Sequence, residues 1–143
     1  NPAPFASISP DLIAVSDWII PNESEFAGMH PQGLGPTSDE NILELSATLK
    51  ARFVVTLGEK GAAFTTRDGE IRRVTAPRVN AIDTTGAGDA FVGAFAVGLA
   101  ANLIDEKAIA LGCACASESV TRRGTQSSYP TPAQAQEILR SIN

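Results

Sequence analysis

Apolar positions follow two rhythms along the chain. In the first half they come in short runs closed by turn residues: Trp18-Ile19-Ile20 ending at Pro21-Asn22, Phe53 to Leu57 stopped by Gly58, and Ala62 to Thr66 facing Ile71 to Val74 across Asp68-Gly69. Such runs predict strands, and the Asp-Gly pair predicts a hairpin. Leu12 to Val15 adds a helical turn before the first strand. Between the first two strands, Ile42, Leu43, Leu45, Ala47 and Leu49 recur at helical spacing behind Ser38-Asp39-Glu40. Ser38 or Asp39 then caps a helix whose positive end is met by acids.

From Gly86 onward the rhythm is helical throughout. Ala90 to Leu103 is apolar nearly all round, Glu106 to Val120 forms a second, Ala-rich helix, and Pro132 to Ile142 a third, with the loop Thr121 to Pro130 before it. The order is α/β: a mainly parallel sheet with an antiparallel margin and flanking helices. Ala90 to Ile104 falls short of the roughly 20 residues a membrane span requires and directly follows Asp89. It reads as a buried helix, and no membrane partner is expected.

Composition narrows the classes. The 143 residues, 43% of them hydrophobic, fit one ordinary domain with a sizeable core. Eleven basic against sixteen acidic residues give a net charge of −5, and no dense basic cluster occurs, Arg122-Arg123 being only a short pair, so a nucleic-acid partner is not expected. Cys113 and Cys115 lie two apart in a helical pattern, so they point to different faces and neither bridge nor share a tetrahedral metal. They read as core thiols in a reducing, cytoplasmic compartment. His30 is the only histidine and sits in the Gly28 to Pro36 loop, where it reads as solvated; Trp18 and Phe53 read as core. The opening NPAPF has no initiator methionine, basic region or apolar signal core, so either a segment was removed or the chain is part of a longer protein.

The chemistry gathers in AIDTTGAGDAFVGAF, residues 81 to 95. Gly86-Ala87-Gly88 stands where a loop enters a helix. Glycines there let the backbone approach a ligand closely, and the N–H groups of the first turn form an anion site suited to phosphate. Asp89 lies in that same turn, where a carboxylate beside bound phosphate suits a base that takes a proton from an attacking hydroxyl. The blander alternative is that Asp89 only complements the helix dipole and the glycines only permit tight packing. Thr56 to Gly61 ends a buried strand in a glycine-flanked turn, where open α/β sheets bind ligands, although Lys60 also reads as a solvated turn lysine.

DTTGAGD (Asp83 to Asp89), together with Asn22-Glu23-Ser24-Glu25, Thr56-Leu57-Gly58-Glu59-Lys60-Gly61 and the opening Asn1-Pro2-Ala3-Pro4, resembles the ribokinase, or PfkB-type, carbohydrate kinase family. The resemblance runs from the first residue to about Pro130 and matches the C-terminal half of a family member. It implies an incomplete ribokinase-like fold in which residues 1–143 are the nucleotide-binding and catalytic portion, with the N-terminal sugar-binding half and lid absent. That half is expected in the parent chain or as a partner, covering a sheet edge and an apolar face otherwise exposed.

The activity so implied is ATP-dependent transfer of a phosphoryl group to a hydroxyl of a small sugar. Asp89 is then the catalytic base, and the N–H groups of Gly86, Ala87 and Gly88 form the anion hole. Asn22, Thr56, Leu57, Gly58, Glu59, Lys60, Gly61 and Gly88 contact the nucleotide, while Cys113 falls where a helix residue meets adenine, unless it is simply a buried small apolar group. Asn22 and Glu25 organise Mg2+. Asp83, Thr85, Ser119, Arg122, Gly124 and Ser128 hold a monovalent cation such as K+. The family also admits a homodimer of the full protein. Without a sugar pocket the chain alone is expected to be a poor catalyst, which leaves two rivals: a nucleotide- or anion-binding module without turnover, and a structural fragment that needs its other half to fold.

Overall fold

The computed structural model describes residues 1–29 and 37–142, so His30 lies outside the described residues. The elements are α1 (Pro10–Ala14), β1 (Trp18–Ile19), α2 (Glu23–Met29), α3 (Asp39–Leu49), β2 (Arg52–Thr56), a 3-10 turn (Gly58–Lys60), β3 (Ala62–Thr65), β4 (Ile71–Val74), α4 (Ala87–Ala100), α5 (Asp105–Ser119), a second 3-10 turn (Gln126–Ser128) and α6 (Pro132–Ile142). They fall into two compact units. The first comprises Asn1–Gly58 and Ala62–Arg73, the second Glu59–Gly61 and Val74–Asn143.

The first unit is built on a sheet of order β1-β2-β3-β4. β1 and β2 are joined through α2 and α3, long enough for a crossover, and pair in parallel with Trp18 opposite Arg52 and Ile19 opposite Phe53. The link from Leu57 to Gly61 is too short for a crossover, so β3 turns back antiparallel, with Val55 opposite Ala63. β3 and β4 then close around a turn in which Gly69 has φ 78° and Thr66 N–H donates to Glu70 O at 2.8 Å. The result is a small mixed sheet with flanking helices. Its parallel content is confined to β1 and β2 rather than dominating, because two of its three connections are too short for crossovers.

Phe26, Ile42, Leu45, Phe53, Val55 and Ala63 form the core of this unit, with the Phe26 and Phe53 rings edge to face at 5.9 Å. Phe53 is core, as expected. Trp18 is half-buried, with the Arg52 guanidinium 3.7 Å above its ring. Ser38, not Asp39, caps α3: its hydroxyl accepts from Asn41 N–H at 3.2 Å. Helix α2 is an element the hydrophobic pattern did not announce.

In the second unit α4 packs on α5 at two glycines. A Cβ on Gly98 would lie 2.9 Å from Ala108 Cα, and one on Gly112 would lie 2.9 Å from the Phe91 ring. The absence of side chains at these positions sets how near the helices come. Ala90, Phe91, Phe95 and Gly98 are buried, whereas Val97 is 57% exposed. The expectation of a wholly buried α4 is therefore corrected: one face is covered and the other apolar face is open. Both cysteines are buried and free. Among the described residues no helix is long and apolar enough to cross a membrane.

Candidate functional site

The N-terminus of α4 has the geometry of an anion site. Gly86 is its N-cap at φ 80°, ψ 2°, a left-handed conformation that glycine adopts without the Cβ penalty, and no side chain caps this end. The first helical bond runs from Ala90 N–H to Gly86 O at 3.0 Å, and Ala87 N–H turns back to Thr84 O at 3.2 Å. Among the described residues the N–H groups of Gly86, Gly88 and Asp89 have no protein acceptor. A Cβ at Gly88 would meet nothing within 4 Å, so the space before it is open. Of the three expected anion-hole donors, Gly86 and Gly88 are thus free and Ala87 is engaged in the turn. Asp89 is exposed at the third helical position, in the same first turn as these donors.

Asp83 does something different. Its Oδ1 accepts from Thr85 N–H and its Oδ2 from Gly124 N–H, each at 3.0 Å. Ile82 and Asp83 N–H both donate to Val120 O, at 2.7 and 3.2 Å. The carboxylate therefore ties the loop before α4 to the loop after α5. Donation by Gly124 N–H, followed by the Thr85 hydroxyl and N–H, stabilises the charged form and holds the Asp83 carboxyl down at about 2.

A folded value below the unfolded one, about 3.9, means that Asp83 contributes stability above pH 4. That contribution is lost as the pH falls through 2. Asp83→Asn is expected to lower the melting temperature at pH 7 and to flatten the acid limb between pH 4 and 2. Melting curves across that range check it, and a variant that parallels the parent in both respects would contradict it.

The other residues expected at a cation site are tied to one another. Arg122 Nη1 donates to Glu118 Oε1 at 2.7 Å, Arg122 Nη2 to Ser128 O at 2.9 Å, and Arg122 N–H to Ser119 O at 3.3 Å. Ser119 and Ser128 are buried, and their hydroxyls donate to Ala116 O and Thr125 O. Gly124 has φ 97°. Among the described residues no group of three or more His, Cys, Asp or Glu is placed to hold a metal. The carbonyls of Ser119, Thr125 and Ser128 and both oxygens of Asp83 thus already accept hydrogen bonds within these two loops.

In the first unit, Asn22 and Thr56 meet as a parallel bridge at the C-terminal ends of β1 and β2, with Thr56 N–H donating to Pro21 O at 3.0 Å. This is the end of an open α/β sheet where ligands bind. Asn22 N–H donates to Glu25 Oε2, and Glu25 N–H donates to Asn22 Oδ1, both at 2.8 Å. The pair is a capping box that starts α2. Glu25 is 9% exposed and Asn22 exposed. One carboxylate and an amide suit magnesium, which keeps most of its waters, but both side chains already serve the helix.

Leu57 is buried, while Gly58, Glu59 and Lys60 are exposed. Gly58 and Gly61 have φ of 58° and 95°. Cys113 is 4% exposed, and burial pushes its thiol up to about 12, so it stays protonated and presents almost no surface.

A profile described as "pfkB family carbohydrate kinase" matches residues 1–132. Among curated proteins, the chain is 39% identical over 148 residues to the deoxyribokinase of Salmonella typhi, covering 100% of this chain and 47% of that protein. It is 35% identical over 136 residues to the ribokinase of Schizosaccharomyces pombe, covering 92% and 43%. Among solved structures, Thermotoga maritima ribokinase superposes with a TM-score of 0.85 at 33% identity, covering 97% of this chain and 47% of that one. Arabidopsis thaliana ribokinase complexed with ribose and ATP gives 0.81 at 28%, covering 93% and 44%. Phosphofructokinase-2 from Escherichia coli in complex with potassium gives 0.76 at 28%, with the same coverage. The chain thus spans less than half the length of the relatives it matches.

Proposed function

The chain belongs to the pfkB family of carbohydrate kinases, and from that membership we propose that it supplies the nucleotide-binding and phosphoryl-transfer part of an ATP-dependent sugar kinase. The observation that carries the reading is the start of α4, where a left-handed glycine, open N–H groups and an exposed aspartate occupy a single turn. Phosphoryl transfer places growing charge on the attacking hydroxyl and on the moving phosphoryl oxygens. Asp89 removes the hydroxyl proton, and the Gly86 and Gly88 N–H groups stabilise the phosphoryl charge with donors already in place. Ala87 adds little while its N–H remains in the turn.

Asn22, Thr56 and the turn through Gly61 take the nucleotide, and Glu25 with Asn22 orients the waters of Mg2+. When bound, that ion neutralises charge on the phosphates. A monovalent cation sits with Asp83, Thr85 and the carbonyls of the loop after α5; the potassium complex of the phosphofructokinase-2 relative supports this. The substrate class is a pentose, supported by the ribokinase and deoxyribokinase relatives. The sugar pocket is assigned to residues outside this chain.

The test uses the product of the complete reading frame with ATP, Mg2+ and D-ribose or 2-deoxy-D-ribose. Sugar-dependent release of ADP with a matching sugar phosphate by mass spectrometry is expected. ATP binding with no phosphorylated sugar from any pentose or hexose would reject the kinase and leave the binding-module reading. Glu25→Gln separates the two roles of that residue. Glutamine preserves the capping box, so the melting temperature should hold within about 2 °C while half-saturation by Mg2+ rises roughly tenfold. Glu25→Ala loses the box as well, at a cost of about 1 kcal/mol.

A further inference from the structure

Glycine crosses between negative and positive φ at little cost. That freedom gives Gly86 its left-handed turn and would equally let the turn relax, swinging the Gly86 N–H away from a bound phosphoryl group. Something must hold φ at 80°. Where a Cβ on Gly86 would project, the Tyr129 hydroxyl oxygen lies at 3.0 Å, and Thr125 Cβ and Cγ2 each lie at 3.3 Å. The αL face of Gly86 therefore stands against a wall formed by the loop after α5.

That wall is itself braced. Thr125 O accepts from Ser128 N–H at 3.0 Å and from the Ser128 hydroxyl at 2.7 Å. Ser128 O in turn accepts from Arg122 at 2.9 Å. Tyr129 follows directly with extended backbone, φ −63°, ψ 147°, and is half-buried. The loop thus reaches the anion-hole turn twice: by hydrogen bonds through Asp83, and by packing through Thr125 and Tyr129.

We propose that Tyr129, seated with Thr125 against Gly86, is a positioning residue that keeps the anion-hole N–H groups aimed at the transferred phosphoryl group. The proposal rests on the kinase reading for its catalytic consequence. It assigns Tyr129 no contact with substrate; its hydroxyl acts through Gly86. A misdirected donor is felt in the transition state more than in the ground state, so the loss falls on kcat rather than KM.

The experiment compares Tyr129→Ala and Tyr129→Phe in the product of the complete reading frame. For Tyr129→Ala, kcat should fall roughly 10–100-fold with KM for ATP and sugar within about twofold. Tyr129→Phe, which loses the hydroxyl that faces Gly86 and keeps the ring behind it, should fall between that variant and the parent. Amide hydrogen exchange in the peptide spanning residues 84–89, without ligand, should rise at least about tenfold at the bonded Thr85 and Ala87 amides in Tyr129→Ala while exchange in α5 is unchanged. An unaltered kcat in Tyr129→Ala overturns the proposal, as does unaltered exchange in that peptide. A drop in melting temperature with parental kcat per folded molecule marks a merely structural residue and overturns it too. If the parent protein turns over no sugar, the kinase reading fails by itself, and the exchange rates alone judge the brace.

Discussion

Asp89→Asn is expected to lower sugar-dependent turnover by about 10²- to 10⁴-fold while leaving ATP affinity and the melting temperature close to those of the parent. Asp89 is exposed in the first turn of α4, so it does not hold the fold through burial. Asparagine matches its size and loses only the charge and the capacity to take a proton. What the fold forgoes is the favourable meeting of a carboxylate with the helix N-terminus, about 0.3–1 kcal/mol. What the reaction forgoes is the acceptor for the hydroxyl proton. Turnover and calorimetric ATP affinity measured on the same preparation separate the two. Near-parental turnover would remove Asp89 from the role of base and return it to dipole complementation.

Asp83→Asn should behave in the opposite sense, with its primary loss in stability. Both oxygens of Asp83 accept backbone N–H groups, one from its own loop and one from Gly124. An amide offers one acceptor and turns a donor toward the other N–H. Two aspartates six residues apart in one motif thus divide the work, Asp83 stitching two loops and Asp89 facing outward.

The runs of β2 and β3 and the helices α4 and α5 were legible because each buries apolar residues that stand out in the sequence, α6 was legible from its proline start and apolar spacing although it buries no residue, and the Asp68-Gly69 turn marked its hairpin. Helix α2 was not legible. Asn22-x-x-Glu25 has the spacing of a capping box, and Phe26 after it is wholly buried, yet the same residues also read as a magnesium element, and that reading displaced the helix signal. The burial of α4 was overstated because a helix apolar all round does not say which faces have neighbours within its own chain. The DTTGAGD stretch pointed to the turn at the start of α4, but not to how its donors are shared. Ala87 N–H bonds to Thr84 O through turn geometry, which leaves no mark in residue identity. Tyr129 was invisible for a related reason: its contact with Gly86 is a packing relation across 43 positions, set by the loop after α5.

Gly61→Ala is expected to be the most damaging single-methyl change among the glycines of the motifs. A Cβ there would lie 1.9 Å from Val74 O, 2.7 Å from Ala76 N and 2.9 Å from Thr75 C, all of them backbone atoms that no rotamer change can move. Its φ of 95° adds strain that an L side chain rarely accepts. Overpacking costs about 1–3 kcal/mol and backbone strain about 1–3 kcal/mol, together a large part of the roughly 5–15 kcal/mol that holds an ordinary domain. The melting temperature should fall by on the order of 10–15 °C. Gly58, at the other end of the same 3-10 turn, is the control. Its φ of 58° resembles that of Lys50 at 52° and Asn102 at 58°, which bear side chains in this fold, and a Cβ there would meet nothing within 4 Å. Gly58→Asn should therefore cost about 1 kcal/mol, or a few degrees. Equal shifts in the two variants would contradict a steric role for Gly61. A large shift at Gly61 alone would show that this glycine is required by the backbone passing Val74 and Ala76, whatever the turn binds.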